Sequence, residues 1–192
     1  MRKYIVDQID EAINVQNMML NDSKLIDQIN LAAEKCVNSI KLGNKILLAG
    51  NGGSAADSQH IAGELVSRFM FDRPGLPAIA LTTDTSILTA IGNDYGYDCV
   101  FSRQIQALGV SGDVFIAYST SGKSPNILKA LIDAKSAGLV TIGLTGNKKA
   151  SMNDLCDVVL EVPSANTPKI QEGHLIIGHI ICGIIENSIF GN

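Results

Sequence analysis

The apolar residues near the start of the chain recur at the spacing of an α-helix. Between residues 3 and 42 they fall three or four positions apart, as at Ile5, Ile9 and Ile13. The polar run Asn21-Asp22-Ser23 interrupts this pattern and contains residue types that commonly begin a helix. The pattern therefore predicts two helices that are joined at this run.

Beyond Gly43, short apolar runs alternate with helical stretches. The five runs are Lys45 to Ala49, Ala78 to Thr82, Val114 to Tyr118, Val140 to Leu144 and Val158 to Val162. Runs of this length, separated by helices of about ten residues or more, are typical of βαβ units with a parallel sheet covered on both faces. A last helix is predicted from Ile170 to Phe190. We therefore expect one doubly wound α/β domain, with an N-terminal helical extension (residues 1–43) and a five-stranded parallel sheet (residues 44–192).

The composition argues against several classes of protein. The chain has 192 residues and a net charge of -4, so no positive field attracts nucleic acid or an anionic membrane. The most apolar stretch, Leu175 to Phe190, is shorter than the ~20 residues of a spanning helix, and we interpret it as a buried helix. The four cysteines form no C-x-x-C pair, and no apolar run of signal-peptide length lies near Met1. These features predict a cytoplasmic protein with reduced, buried thiols and with no nucleic-acid or membrane partner.

A glycine-rich loop, Gly50-Asn51-Gly52-Gly53-Ser54, follows the first predicted strand and leads into a helical stretch from Ala55 to Phe69. Glycines permit turns that other residues resist, and the free N–H groups at the start of a helix attract anions. The spacing is neither a Walker A loop nor a complete G-x-G-x-x-G. A plain turn, with Ser54 as N-cap and Asp57 completing a capping box, explains the loop equally well.

A second polar loop, Ser119-Thr120-Ser121-Gly122-Lys123-Ser124-Pro125, follows the third predicted strand. Four hydroxyl groups and a glycine, followed by a proline suited to the first helical position, can surround a phosphate. In open parallel sheets ligands bind beyond the carboxyl ends of the strands, where the strand order reverses. The alternative is an ordinary polar loop with Ser124 as a helix cap. Lys123 is either a phosphate contact or a solvated side chain.

The predicted helix after the glycine-rich loop carries three polar residues at a spacing of four: His60, Glu64 and Arg68. They should therefore project from one face of that helix. A carboxylate in this position can act as a general base, a metal ligand or both, whereas the alternative is a surface ladder of ion pairs. The other two histidines, His174 and His179, fall on the last predicted helix. A histidine on an apolar helix is usually a hydrogen-bonded core residue, and we assign His174 to that class.

Taken together, these segments resemble the phosphoheptose isomerases of the sugar isomerase (SIS) fold. The resemblance covers essentially the whole chain and rests on Ala49 to His60, Glu64, Arg68, Ala90 to Asp94, Ser119 to Gly122 and Ile170 to Glu172. It implies conversion of sedoheptulose 7-phosphate to D-glycero-D-manno-heptose 7-phosphate, the first step toward activated heptose for bacterial surface glycans such as lipopolysaccharide core or capsule. It also implies a homotetramer whose active sites lie at subunit interfaces.

The resemblance further implies roles for individual residues. Glu64 would be the general base and His179 its acid partner. One zinc ion per subunit would be held by His60, Glu64, Gln171 and His179. The sugar and its phosphate would be bound by Asn51, Gly52, Gly53, Glu64, Asn93, Asp94, Ser119, Thr120, Ser121, Ser124 and Gln171.

Two other functions share parts of this pattern. Some relatives with nearly the same loops bind the replication initiator and turn over no sugar, but they tend to lack the acid and the base, which are both present here as Glu64 and His179. A phosphosugar sensor would need a fused regulatory domain, for which 192 residues leave no room. We therefore expect an enzyme.

Overall fold

The computed structural model of the protein describes residues 1–191. Its centre is a parallel sheet of five strands: β1 (Ile46–Ala49), β2 (Ala78–Ala80), β3 (Val114–Tyr118), β4 (Val140–Gly146) and β5 (Val158–Val162). The strand order is β2-β1-β3-β4-β5, and every neighbouring pair is parallel. The order reverses between β1 and β3, so the loops after these two strands lie side by side at the carboxyl edge of the sheet. The predicted five-stranded parallel sheet is confirmed.

Helices cover both faces of this sheet. Within residues 1–191 they are α1 (Arg2–Leu20), α2 (Ser23–Lys41), α3 (Gly53–Val66), α4 (Thr85–Tyr95), α5 (Ser102–Leu108), α6 (Pro125–Ser136) and α7 (Thr167–Phe190), with short 3₁₀ turns at Tyr97–Cys99 and Ser151–Asp154. The break between the first two helices falls where it was predicted, because the Asp22 carboxylate caps α2 by accepting the Leu25 N–H at 3.0 Å. The α7 helix begins earlier than predicted, since Pro168 fits its first turn, where a missing N–H leaves no bond unmade.

Two apolar layers form the core, one on each face of the sheet. Neighbouring strand residues contribute to opposite layers: Phe115 packs on the side of α5 and α6, and Ile116 packs on the side of α2, α3 and α7. Strands buried on both faces explain the continuous apolar runs in the sequence. The α7 helix has the length and hydropathy of a membrane-spanning helix. Ten of its residues are buried, however, and its place in the core accounts for its apolar character.

The start of α3 differs from the capping box that was one of two alternatives for the glycine-rich loop. Its N-cap is Gly52, whose φ of 57° is open to glycine without strain, and no side chain caps the helix. Ser54 lies inside the helix, where its carbonyl oxygen accepts the Ser58 hydroxyl at 2.8 Å. The alternative in which Ser54 is the N-cap and Asp57 completes a capping box is therefore wrong, because the turn at Gly52 lets the helix begin at Gly53.

The end of α3 also differs from the prediction. The helix stops at Val66, so Arg68 lies beyond it, and its predicted alignment with the histidine and the glutamate earlier in the helix is wrong. In a longer helix the Phe69 N–H would donate to the carbonyl oxygen of Leu65. That oxygen instead accepts a hydrogen bond from the Arg73 guanidinium at 2.6 Å. The carbonyl group of the last turn therefore has a hydrogen-bond partner although the helix does not continue.

All four cysteines are free thiols in the described part of the chain. Cys36 and Cys182 are buried as predicted, and burial raises the pKa of each thiol to about 12. Cys99 and Cys156 are partly exposed, so the prediction of burial is wrong for these two. Cys99 is the last residue of one 3₁₀ turn, and Cys156 lies two residues after the other.

Candidate active site

The α3 and α7 helices lie side by side and run in the same direction. Near their starts, Gly53 lies against the Gln171 side chain, since a Cβ on Gly53 would lie 2.7 Å from the amide nitrogen of Gln171. About two turns further along both helices, the Nε2 atoms of His60 and His179 lie 2.9 Å apart. The packing of the two helices therefore brings together side chains from distant parts of the sequence.

His60, Glu64 and His179 form one cluster. The Nε2 atom of His60 lies 3.4 Å from Oε1 of Glu64, one helical turn away, and one nitrogen or oxygen from each of the three residues lies within 4.8 Å of the others. Two imidazole nitrogens only 2.9 Å apart would repel each other if each directed a lone pair at the other. One of them carries the proton, or both face a shared cation. The cluster thus places a carboxylate and two proton-carrying or metal-ligating rings at one point.

The donor set of this cluster suits zinc. Zinc binds imidazole nitrogens and carboxylate oxygens, and catalytic sites combine three protein ligands with one open position. His60 and Glu64 come from successive turns of α3, and His179 comes from α7. Gln171, the fourth ligand that the resemblance implies, lies two turns before His179 with its amide beside Gly53. Its part in a zinc site stays a prediction.

Asp57 lies one turn before His60, and one of its carboxylate oxygens is buried without a hydrogen-bond partner in the described residues. Burial raises the pKa of this carboxyl group, and the nearby charge of His60 opposes the rise. An unpaired carboxylate oxygen one turn away from a histidine can hold a proton or orient that ring. The sequence assigned Asp57 only to a capping box, because nothing in its spacing distinguished it from a cap.

The glycine-rich loop is tied to the start of α6 through Asn51. Its side-chain amide exchanges two hydrogen bonds with that of Asn126, at 2.9 and 2.8 Å, and its oxygen accepts the Tyr97 hydroxyl at 3.3 Å. Asn126 is buried and follows the hydroxyl-rich loop. Neither Asn126 nor Tyr97 was predicted from the sequence. The one available signal was the position of Asn126 at the start of the helix that follows the predicted phosphate loop.

The hydroxyl-rich loop has an internal structure that differs from a plain helix cap. Ser124 is the N-cap residue of α6, but its hydroxyl makes no capping bond and lies 3.0 Å from the Ser119 hydroxyl. Pro125 occupies the first turn, as predicted. Ser121 Oγ accepts the backbone N–H of Lys123 at 3.2 Å. The N-terminal N–H groups of α6 are therefore not taken by the side chain of its own cap residue.

A cavity of about 310 Å³ adjoins this loop at the carboxyl edge of the sheet. Its walls come from the loops after β3, β4 and β5 and from the start of α7: Thr120, Ser121, Lys123, Gly146, Asn147, Lys148, Ser164, Ala165, Thr167 and Ile170. Lys123 and Lys148 give it two positive charges, so it favours an anion. Lys148 was missed in the sequence because it follows β4 in a segment without a ligand-binding pattern.

Asn93 and Asp94 lie at the C-terminal end of α4, where the Asn93 amide donates to the Asp94 carboxylate at 2.8 Å. Both are exposed. Asp94 lines a different cavity of about 310 Å³, which lies between α4 and α5. The structure groups these two residues with each other and not with the histidine cluster, so their contact with substrate stays a prediction.

His174 is fully buried, as expected for a core residue. Its Nε2 lies 3.3 Å from the carbonyl oxygen of Thr145, and its ring packs edge-on against Tyr118. Its Nδ1 has no hydrogen-bond partner in the described residues. Burial lowers the pKa of His174 to about 4, although the bond to Thr145 opposes the shift. His174 is therefore neutral near pH 7.

Comparisons with known proteins agree with this geometry. The sequence model of the SIS domain family matches residues 10–146, which gives the class of protein. The chain is 65% identical over 188 residues to a phosphoheptose isomerase of Burkholderia pseudomallei (strain 1710b), covering 98% of this chain and 95% of the relative. It is 59% identical over 192 residues to a phosphoheptose isomerase of Aneurinibacillus thermoaerophilus, covering 100% and 97%. The chain therefore belongs to the SIS domain family and, within it, to the phosphoheptose isomerases.

A solved structure gives the same result for the fold. Phosphoheptose isomerase GmhA from Neisseria gonorrhoeae superimposes with a TM-score of 0.91 at 40% sequence identity, covering 97% of this chain and 98% of that one. The predicted SIS fold is confirmed.

Proposed function

We propose that this protein is an aldose–ketose isomerase that converts sedoheptulose 7-phosphate to D-glycero-D-manno-heptose 7-phosphate through an enediol. The observation that carries the proposal is the cluster of His60, Glu64 and His179, which unites a carboxylate base with a proton-carrying ring. The identity of 65% to a relative named phosphoheptose isomerase supports the choice of substrate. The heptose product would feed bacterial surface glycans such as lipopolysaccharide core or capsule.

The chemistry requires a proton to move between two neighbouring carbons. Glu64 removes the proton from C1 of the ketose, and the C2 carbonyl oxygen takes a proton from His179, which yields the enediol. Glu64 then returns its proton to C2, and the C1 hydroxyl gives its proton back to His179, which yields the aldose. Both residues end in their starting states, so the cycle balances. Glu64 is half-buried, so its carboxylate is partly shielded from water.

The phosphate would bind at the hydroxyl-rich loop. Ser119, Thr120, Ser121 and Ser124 offer hydroxyl groups beside the start of α6, and Lys123 and Lys148 add positive charge in the adjoining cavity. The amide pair of Asn51 and Asn126 holds the glycine-rich loop, with Gly52 and Gly53, next to this loop. Asn93 and Asp94 would complete the binding of the sugar hydroxyls.

Zinc is part of the proposal. His60, Glu64, Gln171 and His179 would hold one ion per subunit, and a bound ion would supply a Lewis acid for the carbonyl oxygen. The three-residue cluster with mixed nitrogen and oxygen donors supports this assignment.

We further propose a homotetramer with active sites at subunit interfaces. An apolar face runs along α1, with Ile5, Ile9 and Ile13 each about half exposed. It continues into an apolar cavity of about 270 Å³, which lies among α1, α2 and α7. Surface of this kind is typical of a contact between subunits. The side chain of His60 is 46% exposed, so a neighbouring subunit could complete the wall of the site.

The cytoplasm is the proposed location. Four free thiols fit a reducing compartment. The relatives described above are named as isomerases, so the alternative of a replication-initiator partner gains no support.

The test is an assay of the purified protein with sedoheptulose 7-phosphate, in which proton NMR follows the appearance of the aldose. We expect conversion to an equilibrium mixture, with loss of activity after treatment with a chelator and recovery on addition of zinc. Absence of conversion by the folded, zinc-supplied protein would refute the proposed reaction. Conversion that a chelator leaves unchanged would refute only the part assigned to zinc.

A further inference from the structure

A buried ion pair joins the segment after α3 to the last helix. Arg73 Nε lies 3.0 Å from Glu186 Oε1, and the two side chains are only 2% and 1% exposed. Neither residue belongs to the cluster described above. A buried pair of charges is a weak source of stability, since the cost of removing both from water offsets their attraction. The other hydrogen bonds of Arg73 and Glu186 indicate how the pair could act on the active site.

Arg73 holds the end of α3. Its Nη2 donates to the backbone carbonyl oxygen of Glu64 at 2.9 Å, and its Nη1 donates to that of Leu65 at 2.6 Å and to that of Ser67 at 3.2 Å. Carbonyl groups at the end of a helix lack intrahelical partners, and a rigid guanidinium fork can bind several of them at once. The backbone of Glu64 is thus bonded directly to Arg73.

Glu186 holds the same segment from the other side. Its two oxygens accept the backbone N–H groups of Phe69 at 2.9 Å and Met70 at 2.7 Å. Burial alone would raise the pKa of Glu186, but these N–H groups and the Arg73 guanidinium hold it below its ordinary value. Glu186 lies on α7 about two turns after His179 and so faces the same side of the helix. The ring of Phe69 also packs against the His179 ring, with centroids 5.6 Å apart.

We propose that Arg73 and Glu186 are positioning residues that fix the distance between Glu64 and His179, an inference that rests on the proposed function. The ion pair connects the backbone of the general base to the helix that carries its acid partner. Proton transfer depends steeply on geometry, and a misplacement of about 1 Å can cost ~10²-fold in rate. The pair thus fixes the reacting groups relative to each other, whereas it contributes little to substrate binding, because neither residue lines the cavity beside the hydroxyl-rich loop.

The test uses a double variant, Arg73→Met with Glu186→Leu, so that neither charge is left buried alone. We expect a folded protein whose kcat falls by about 10- to 100-fold while KM changes little, because the base and the acid lose their fixed separation. Arg73→Lys should lose kcat in the same way, since an ammonium group cannot bind four carbonyl oxygens, those of Glu64, Leu65, Ser67 and Pro74, and a carboxylate together. Near-normal kcat in either variant, measured well below its melting temperature, would overturn the proposal.

A matched control exists at the amino ends of β1 and β3. Lys45 and Asp113 form another ion pair with a fully buried carboxylate, which also accepts two backbone N–H groups, those of Lys45 at 3.0 Å and Val110 at 2.9 Å. Lys45→Met with Asp113→Leu removes a comparable pair without touching α3 or α7. We expect its kcat to stay within about twofold of wild type, whatever its change in melting temperature. An equal loss of kcat in this control would show that the effect is general destabilisation, and it would overturn the assignment.

Amide hydrogen exchange separates this proposal from the proposed reaction. In the double variant, exchange of the Phe69 and Met70 amides and of the last turn of α3 should become at least tenfold faster, because their partners are gone. Unchanged exchange would overturn the positioning role even if the protein is an active isomerase. If the wild-type protein fails to convert sedoheptulose 7-phosphate, the proposed reaction falls, and faster exchange would still support the part of the inference that concerns α3 and α7.

Discussion

The Nε2 atoms of His60 and His179 lie 2.9 Å apart although the two residues are 119 positions apart in the sequence. Their contact depends on the parallel packing of α3 and α7, in which Gly53 lies against the Gln171 side chain. Because two imidazole lone pairs repel each other at this distance, a proton or a cation must accompany the pair. With Glu64 beside them, the pair has the composition of a metal-assisted acid–base site.

Loss of His60 should weaken zinc binding. We expect the wild-type chain to hold about one zinc ion after dialysis, and His60→Ala to lower the affinity by at least ~10-fold because one of the ligands is removed. Equilibrium dialysis with elemental analysis measures this directly. His174→Gln is the matched control, since that histidine is buried in the core and should leave the zinc content unchanged. Full zinc occupancy in His60→Ala under competition from a chelator would contradict the ligand assignment.

Removal of polar groups from the cavity beside the hydroxyl-rich loop, where the phosphate is proposed to bind, should weaken substrate binding without altering the chemical step. Ser121→Ala and Lys148→Met should each raise KM by about 10-fold and leave kcat nearly unchanged, because the phosphate is remote from the reacting carbons. Steady-state kinetics with sedoheptulose 7-phosphate gives both constants. Lys129→Met removes an exposed lysine from α6 outside this cavity and should behave as wild type. A crystal soaked with substrate whose phosphate lay elsewhere would refute the assignment.

Charges placed on the apolar face of α1 should prevent assembly. Ile9 and Ile13 are 57% and 49% exposed in the single chain. Light scattering should report a tetramer for wild type and a smaller species for the variant with lysine at both positions, because burial of two ammonium groups in a contact is costly. Ile132→Lys, at an equally exposed position on α6, should remain tetrameric. A wild-type protein that is a stable monomer at micromolar concentration would contradict the proposed assembly and the shared sites.

His174 should make stability depend on pH between about 4 and 6.5. Its pKa is about 4 in the folded protein and near 6.5 in the unfolded chain, so the unfolded chain binds more protons in this window. The stabilisation is fully present above pH 6.5 and is lost as the pH falls toward 4. From pH 7 to pH 5, wild type should lose about 2 kcal/mol more of its free energy of unfolding than His174→Gln. Urea denaturation at fixed chain concentration measures the difference, and equal losses would show that His174 does not titrate in this way.

Much of the fold was predictable because its signals are local. The five apolar runs and the polar break at Asp22 follow from the spacing and type of neighbouring residues, and the structure confirms both. Ligand-binding loops were expected at the carboxyl ends of the strands, where the strand order of an open parallel sheet reverses. The strand order β2-β1-β3-β4-β5 confirms that arrangement.

The features that were missed depend on contacts between distant residues. The early end of α3 results from Arg73, whose own partner Glu186 lies 113 residues away. Asn51 and Asn126 are 75 residues apart, and no spacing along the chain indicates that their amides pair. Local propensity favoured helix through residue 69, and tertiary hydrogen bonds outweighed it. Lys148 was also missed for this reason, because it reaches the cavity beside the hydroxyl-rich loop only through the pairing of β4 with β3.

The turnover of Glu64→Gln tests the central claim most directly. Glutamine keeps the size of the side chain and much of its hydrogen-bonding capacity but cannot accept the carbon-bound proton. We predict that kcat falls by at least ~10²-fold while calorimetry shows that sedoheptulose 7-phosphate still binds, and that circular dichroism matches wild type. His179→Asn should show the same separation of binding from turnover. Near-normal turnover by the folded Glu64→Gln variant would contradict the account of Glu64 as the general base.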